Sequence, residues 1–110
     1  MSTIKKPSNT NIAFNKNEDA MKLLLSSLNR KLDEVALGGG KKKIEKHHAK
    51  GKMTARERID FLLDEKSDRI EIGAFAGDQM YEEYGGCPSA GVVVVIGYVS
   101  SRQCIVVAND

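Results

Sequence analysis

The chain has 110 residues, which is enough for one domain with a modest hydrophobic core. Seventeen lysines and arginines against fifteen acidic residues give a net charge of +2, too small to indicate a protein that binds nucleic acid over a broad surface. The longest apolar run, Val92–Ile96, is too short to cross a bilayer. The first twenty residues lack the apolar stretch of a secretion signal, so we expect a cytoplasmic protein that does not enter a membrane.

The N-terminal third predicts a flexible lead followed by one amphipathic helix. Residues 1–16 are polar and show no periodicity, and Asn17 is a candidate N-cap with acidic residues directly after it. The helix is expected to end at the glycines of residues 38–40. Its apolar side chains recur at helical spacing on one face: Met21, Leu24, Leu25, Leu28, Leu32 and Val35. This face should be buried against the chain's own sheet or against a partner.

The next segment holds most of the positive charge. Residues 41–58 contain eight lysines and arginines against two glutamates, a local net charge of +6. Lys41–Lys50 predicts a short helix that ends at Gly51. Thr54 and Glu57 have the spacing of a capping box, so a further short helix should begin there. Residues 17–64 together are predicted to be a helical segment.

The basic segment suits some targets better than others. Nucleic acid is disfavoured because residues 38–58 contain no aromatic side chain, and a membrane surface because Ile44 is the only large apolar residue of the first short helix. Compact phosphates, such as those of a nucleotide or coenzyme A, suit Lys52, Arg56 and Arg58 near a helix N-terminus. The alternative, that these side chains only keep the surface soluble, stays open.

The remaining residues, 65–110, predict the start of a sheet domain. Arg69–Ile72 alternates like a half-buried strand, and Ala74–Ser89 predicts a long exposed loop. Gly91–Val99 and Cys104–Ala108 are β-branched runs around a short polar turn, the pattern of a β-hairpin. Because both runs are apolar at successive positions, both faces of the sheet should be covered.

No local motif identifies a catalytic residue or a metal site. His47 and His48 are adjacent, so on a helix they point about 100° apart. Cys87 and Cys104 lack the spacing of zinc ligands and are expected to be free thiols. The glycines at residues 38–40 follow a helix instead of a strand, which does not support a nucleotide-binding loop.

The order of residues resembles a known family. From Gly38 to Asp64 the chain has three glycines, a basic run and then HAKGKMTARERIDFLLD, and further on it has FAG, MY, GVVVVIGYVSSRQCIVV and a closing AND. This combination resembles the N-terminal region of the carboxyltransferase (beta) subunits of biotin-dependent acyl-CoA carboxylases. The likeness covers about residues 20–110. FAGDQMY and AND resemble the methylcrotonyl-CoA carboxylase branch most, with propionyl-CoA carboxylase in the same family.

The resemblance implies an α/β fold, the N-terminal part of a crotonase-like carboxyltransferase domain with helices followed by a β-hairpin of the core sheet. It implies transfer of a carboxyl group from carboxybiotin on a partner carrier domain to an acyl-CoA. Further expected partners are a biotin carboxylase subunit and other copies of the chain in a hexamer. The glycine-rich oxyanion segments of the family lie beyond Asp110, so no catalytic residue is assigned and the 110-residue chain alone should be inactive.

Five residues can be carried over as candidates near coenzyme A. The basic ones, expected to contact its phosphates, are Lys50, Lys52, Arg56 and Arg58, and Ala108 is a strand-end backbone position near the cleft. For the two arginines, an ion pair with acidic residues elsewhere in the protein is the alternative. Two other functions stay open: an acyl-CoA decarboxylase subunit of the same family, and a non-catalytic module whose leucine helix docks a partner.

Overall fold

The computed structural model describes residues 11–110, which form two compact units, one ending at Lys31 and the other spanning Leu32–Asp110. None of the helices in this range is long and apolar enough to span a membrane. The elements are α1 (Ile12–Ala36), α2 (Lys41–Ala49), α3 (Ala55–Leu62), β1 (Ile70–Ile72), two single 3₁₀ turns (Glu82–Tyr84 and Pro88–Gly91), β2 (Val92–Val99) and β3 (Arg102–Asn109).

Helix α1 begins six residues earlier than predicted, because its cap is Asn11 instead of Asn17. The Asn11 side chain accepts hydrogen bonds from the N–H groups of Ala13 and Phe14, at 3.0 and 3.2 Å, which is N-cap geometry. The prediction of Asn17 as the cap is therefore wrong, because another asparagine upstream satisfies the free N–H groups. Residues 11–16 of the predicted flexible lead are ordered with this cap and helix, and the rest of the lead lies outside the described residues.

The apolar stripe of α1 forms, but no residue of α1 is buried within residues 11–110. Met21, Leu24 and Leu28 all keep a large part of their surface exposed. The expectation that this stripe is covered stays a prediction. The helix ends at Ala36, and the glycine turn predicted to stop it follows, with Gly38 in the left-handed region at φ +52°.

The two short helices of the basic segment are confirmed. Helix α2 ends at Ala49, and Gly51 follows with φ +70°. At the start of α3, the Thr54 hydroxyl accepts from the Glu57 N–H at 3.3 Å while the Glu57 carboxylate accepts from the Thr54 N–H at 2.8 Å. This reciprocal pair satisfies two N–H groups that a helix start would otherwise leave free.

The three strands form an antiparallel sheet in the order β1-β2-β3. The register pairs Glu71 of β1 with Val95 of β2, and Val95 with Val106 of β3. Ser100 and Ser101 connect β2 and β3, and their φ angles of +49° and +65° match the left-handed pair of a type I′ hairpin turn. The predicted hairpin is therefore confirmed.

Helix α3 packs on one face of this sheet and makes the core. The buried side chains are Ala55, Ile59, Leu63, Val93 and Val95. Position 97 has no room for a side chain, because a Cβ on Gly97 would lie 2.8 Å from the Leu63 Cδ2 atom. Burying side chains of this size stabilises the fold by about 1.5–3 kcal/mol each.

No described residue covers the opposite face of the sheet, and the expectation that both faces are covered stays a prediction. Alternate residues of a strand point to opposite faces, and α3 covers only the face that carries Val93 and Val95. Four exposed apolar side chains lie on the other face: Ile70, Ile72, Ile105 and Val107. The side chain of Ile105 is 68% exposed.

Residues 74–89, predicted to be one long exposed loop, are more ordered than expected. Ser89 is buried, and the segment folds into successive turns closed by backbone hydrogen bonds. The Ala90 N–H donates to the Ala76 carbonyl at 2.8 Å, which ties the two ends of the segment together. The exposed-loop prediction is therefore wrong at this end, because buried backbone groups find partners inside the segment.

Candidate functional site

A cleft of about 560 Å³ lies between the basic helices and the turns that precede β2. Its walls combine charged side chains with glycine backbone, which lets a ligand approach closely. Its charged and glycine lining includes Lys43, His47, Arg56, Arg58, Gly86 and Asp110. All of these residues belong to the unit Leu32–Asp110.

The two arginines of α3 lie in different environments. Arg56 donates from Nη1 and Nη2 to the two carboxylate oxygens of Glu71, at 2.6 and 2.8 Å, and both side chains are about three-quarters buried. This hydrogen-bonded carboxylate raises the pKa of Arg56 above its ordinary value, although burial acts in the opposite direction. Arg58 is exposed, and its guanidinium has no hydrogen-bond or ionic partner among residues 11–110.

Two histidines hold the turn between α2 and α3. The Nε2 atom of His47 lies 3.1 Å from the Met53 carbonyl, and that of His48 lies 2.8 Å from a Glu57 carboxylate oxygen. The Thr54 N–H, and after it the His48 side chain, lower the pKa of Glu57. These histidines therefore position the backbone, and no group of three His, Cys, Asp or Glu residues in the described range could hold a metal ion.

The structure separates the five predicted site residues. Arg56 and Arg58 line the cleft between the basic helices and the turns before β2. Lys50 and Lys52 are exposed residues outside its lining. Ala108 lines a neighbouring cleft of about 600 Å³, to which Arg58 also contributes. Met53, Arg58 and Asn109 line both clefts, and Arg58 is the charged residue among them.

The Carboxyl transferase domain family matches residues 46–110, which is more than half of the chain. The chain belongs to this carboxyltransferase family. The matched range contains α3, the whole sheet and the turns that close the cleft.

Curated relatives of this carboxyltransferase chain agree with the match. The biotin-dependent 3-methylcrotonyl-coenzyme A carboxylase beta1 subunit of Mycobacterium tuberculosis is 42% identical over 92 residues, which is 84% of this chain and 17% of that protein. The methylmalonyl-CoA decarboxylase subunit alpha of Propionigenium modestum is 39% identical over 89 residues, 78% of this chain and 17% of the relative. The chain therefore spans about a sixth of the length of these proteins.

A solved structure supports the fold. The crystal structure of transcarboxylase 12S, described as a hexamer assembly with methylmalonyl-coenzyme A bound, superposes with a TM-score of 0.73 at 32% identity. The superposition covers 82% of this chain and 18% of that one. The expected fold, helices followed by strands at the start of a crotonase-like carboxyltransferase domain, is confirmed.

Sequence reasoning missed several lining residues of the cleft. Lys43 belongs to the basic run but was not distinguished from its neighbours, and Asp110 contributes one acidic group at the end of β3. The glycine pair Gly85-Gly86 lies within the predicted loop Ala74–Ser89, where glycines indicate a turn and not a ligand site. Nothing in their spacing could have joined these residues, because they approach one another only when the sheet and the helices pack.

Proposed function

We propose that the chain is part of the carboxyltransferase (beta) subunit of a biotin-dependent acyl-CoA carboxylase. The whole subunit transfers a carboxyl group from carboxybiotin to an acyl-CoA of the methylcrotonyl-CoA or propionyl-CoA type. The observation that carries this proposal is the 42% identity, over 84% of the chain, to a subunit named for that activity. The 110-residue chain contributes binding surface and has no carboxyltransferase activity by itself.

Within that subunit, the cleft is proposed to receive the phosphates of coenzyme A. Arg58 provides an exposed guanidinium without a partner among residues 11–110, and Lys43 adds a second positive charge on helix α2. Unpaired guanidinium groups form strong, charge-assisted hydrogen bonds with phosphate oxygens. Lys50 and Lys52 add positive charge nearby in sequence, and Ala108 is part of the adjoining cleft.

The decisive experiment is kinetic. In the full-length subunit with its partners, Arg58→Ala should raise the KM for acyl-CoA about tenfold, the loss expected for one charge-assisted hydrogen bond. The KM for carboxybiotin should stay unchanged. Arg102→Ala is the matched control, because Arg102 is also exposed but lines none of the clefts described above. An unchanged KM for acyl-CoA in the Arg58 variant would contradict the phosphate-binding role.

The proposed partners follow from the same assignment. Biotin is proposed to arrive on a separate carrier domain that works with a biotin carboxylase subunit, and no residue of this chain is assigned to it. The named relative is biotin-dependent, and the transcarboxylase 12S core assembles as a hexamer, which supports both a carrier partner and a homo-oligomer. Size measurement of the full-length protein tests the hexamer, and a cytoplasmic location is proposed with it.

A second candidate function is decarboxylation of an acyl-CoA. The methylmalonyl-CoA decarboxylase subunit alpha, at 39% identity, favours this candidate. The chemistry is related because both reactions pass a carboxyl group between biotin and an acyl-CoA. Assay of the full-length protein in both directions, with carboxybiotin and acyl-CoA or with biotin and a carboxylated acyl-CoA, separates the two.

A further inference from the structure

The guanidinium of Arg56 is already engaged by protein groups although Arg56 lines the cleft. Nη1 and Nη2 donate to Glu71, and Nη2 lies a further 3.3 Å from the Ser89 hydroxyl oxygen. Arginine has five N–H donors, so three of them are used within the chain. The Nε atom is buried and has no partner in the part of the chain that the structure describes.

We propose that Arg56 is a positioning residue that holds the glycine-rich wall of the cleft in place, with Glu71 as its ionic partner. The ligand-binding charge then comes from Arg58 and Lys43. The role in ligand binding rests on the proposed function of the cleft as a coenzyme A phosphate site. The structural role of Arg56 rests only on the contacts around Ser89.

Those contacts begin at the Ser89 side chain. Its hydroxyl accepts from Arg56 and donates to the Ala74 carbonyl at 3.2 Å, while Ser89 itself is only 3% exposed. One residue further, the Ala90 N–H donates to the Ala76 carbonyl. Arg56 is therefore the charged end of a chain of hydrogen bonds that joins α3 and β1 to the turn Pro88–Gly91 and to Ala74 and Ala76 after β1.

The turn at Ser89 and Ala90 has an unfavourable backbone conformation, which contacts with neighbouring groups must stabilise. Ser89 and Ala90 have φ angles of +53° and +51°, and consecutive non-glycine residues rarely adopt this left-handed region. Such residues persist only where neighbouring groups fix them. Gly77 packs closely against the residues just before this turn. A Cβ at position 77 would lie 2.5 Å from the Cys87 carbonyl oxygen, so the turn has little room to move toward Gly77.

This held turn forms part of the cleft wall. Gly86, Pro88 and Gly91 flank Ser89 in sequence, and all three line the cleft. A shift of the Ser89 turn would move these backbone groups and change the shape of the cleft. Arg56 can therefore affect binding without touching the ligand.

The mutual neutralisation of Arg56 and Glu71 also supports a positioning role for Arg56. The Arg56 side chain is 23% exposed and that of Glu71 is 26% exposed, so the two charges compensate each other where solvent screens them little. An ion pair of this kind adds little net field to the cleft. The positive field of the cleft comes from Arg58 and Lys43, which have no acidic partner among the described residues.

Glu71→Gln distinguishes a positioning residue from a direct phosphate ligand. In the full-length subunit, this change weakens the bidentate pair but leaves Arg56 charged and free to turn to a phosphate. If Arg56 positions the wall, Glu71→Gln and Arg56→Ala should each weaken coenzyme A binding about five- to tenfold in calorimetry. The double variant should be no weaker than Arg56→Ala. If Arg56 binds phosphate directly, Glu71→Gln should leave binding unchanged or tighten it, which would overturn the proposal.

Arg56→Lys and the ionic strength provide a second comparison. Lysine keeps the charge but cannot make the two-pronged contact with Glu71, so Arg56→Lys should behave like Arg56→Ala. Arg58→Ala should reduce the salt dependence of coenzyme A binding, whereas the double variant Arg56→Ala with Glu71→Gln, which removes both charges of the pair, should leave the salt dependence as in the wild type. Full rescue of binding by Arg56→Lys would contradict the positioning role.

Hydrogen exchange tests the wall without any ligand. In mass spectrometry of the full-length protein, the peptide that covers residues 85–91 should exchange about tenfold faster in Arg56→Lys and Glu71→Gln, and at the wild-type rate in Arg58→Ala. Unchanged exchange in the first two variants overturns the proposal even if coenzyme A binds. Failure of the wild-type protein to bind coenzyme A, with faster exchange in these variants, overturns only the proposed function.

Discussion

Helices α2 and α3 are neighbours in one basic segment, yet they are attached to the protein in different ways. Helix α2 buries no residue, and Lys41, Lys42 and Lys43 are exposed without an acidic partner in the described chain. Helix α3 buries Ala55 and Ile59 against the sheet. The comparison shows that α3 is anchored by apolar residues in the core together with the Arg56–Glu71 pair, whereas the exposed lysines at the start of α2 have no such partners among the described residues.

The residues directly after α3 strengthen its attachment. Leu63 enters the core, and the Asp64 carboxylate accepts hydrogen bonds from the N–H groups of Ser100 and Ser101, each at 2.7 Å. The Asp64 N–H in turn donates to the Tyr98 carbonyl at 2.8 Å. The end of the helical segment is thereby joined to the hairpin turn 36 residues further along the chain. Within residues 11–110, no hydrogen bond joins the C-terminus of helix α2 to the sheet in the same way.

The largest effect is expected from the core of α3. Ile59→Ala should lower the free energy of unfolding by about 2–4 kcal/mol, because it leaves a cavity beside Val93 and Val95. The measurement is urea unfolding followed by circular dichroism. Phe61→Ala on the same helix is the control, and since Phe61 is 86% exposed it should change stability by less than about 0.5 kcal/mol. A small effect of Ile59→Ala would mean that α3 is no better anchored than α2.

The next largest effect concerns the connection to the hairpin. Asp64→Ala removes the acceptor for two turn N–H groups and should cost about 2 kcal/mol, the usual scale for hydrogen bonds to a charged group. Unfolding by urea measures the loss, and faster hydrogen exchange in residues 98–102 locates it. Glu65→Ala changes an exposed neighbouring acid without a described partner and should be nearly neutral. Equal effects of the two variants would exclude a special role for Asp64.

A smaller, pH-dependent effect is expected at the start of α3. The pKa of Glu57 is lowered in the folded chain, first by the Thr54 N–H and then by His48. The unfolded chain therefore takes up the proton at a higher pH than the folded one. The stabilisation is present above the ordinary glutamate pKa of about 4.3 and is lost as the pH falls through the lower folded pKa. Glu57→Gln should flatten the stability profile in this acidic range, and an unaltered profile would contradict the role of the capping box.

The smallest effect is expected in α2. Lys42→Ala should change the free energy of unfolding by less than about 0.5 kcal/mol, because the side chain is exposed and makes no described contact. The same urea titration measures it beside Ile59→Ala. A loss above about 1 kcal/mol would show that α2 is anchored by its charges, and the distinction between the two helices would no longer hold.

Local sequence patterns determined most of the secondary structure. The capping box at Thr54, the glycine after α1 and the serine turn of the hairpin each depend on groups within a few residues, and all three are present as predicted. The start of α1 was misplaced because Asn11 and Asn17 are equally good caps in a polar stretch, and local sequence does not rank them. The family also followed from the sequence, since the order of its motifs alone is distinctive.

Tertiary structure decided which of the basic residues are available to bind a ligand. Arg56 and Arg58 are two positions apart on one short helix, and their residue type and spacing do not separate them. Glu71 lies 15 residues beyond Arg56 and Ser89 lies 33 beyond it, so only the folding of β1 and the following turns brings them to one guanidinium. The sequence by itself determined the family, the helices and the hairpin, because these depend on local order. The pairing of Arg56 and the exposure of Arg58 depend on contacts that exist only after the sheet and α3 have packed.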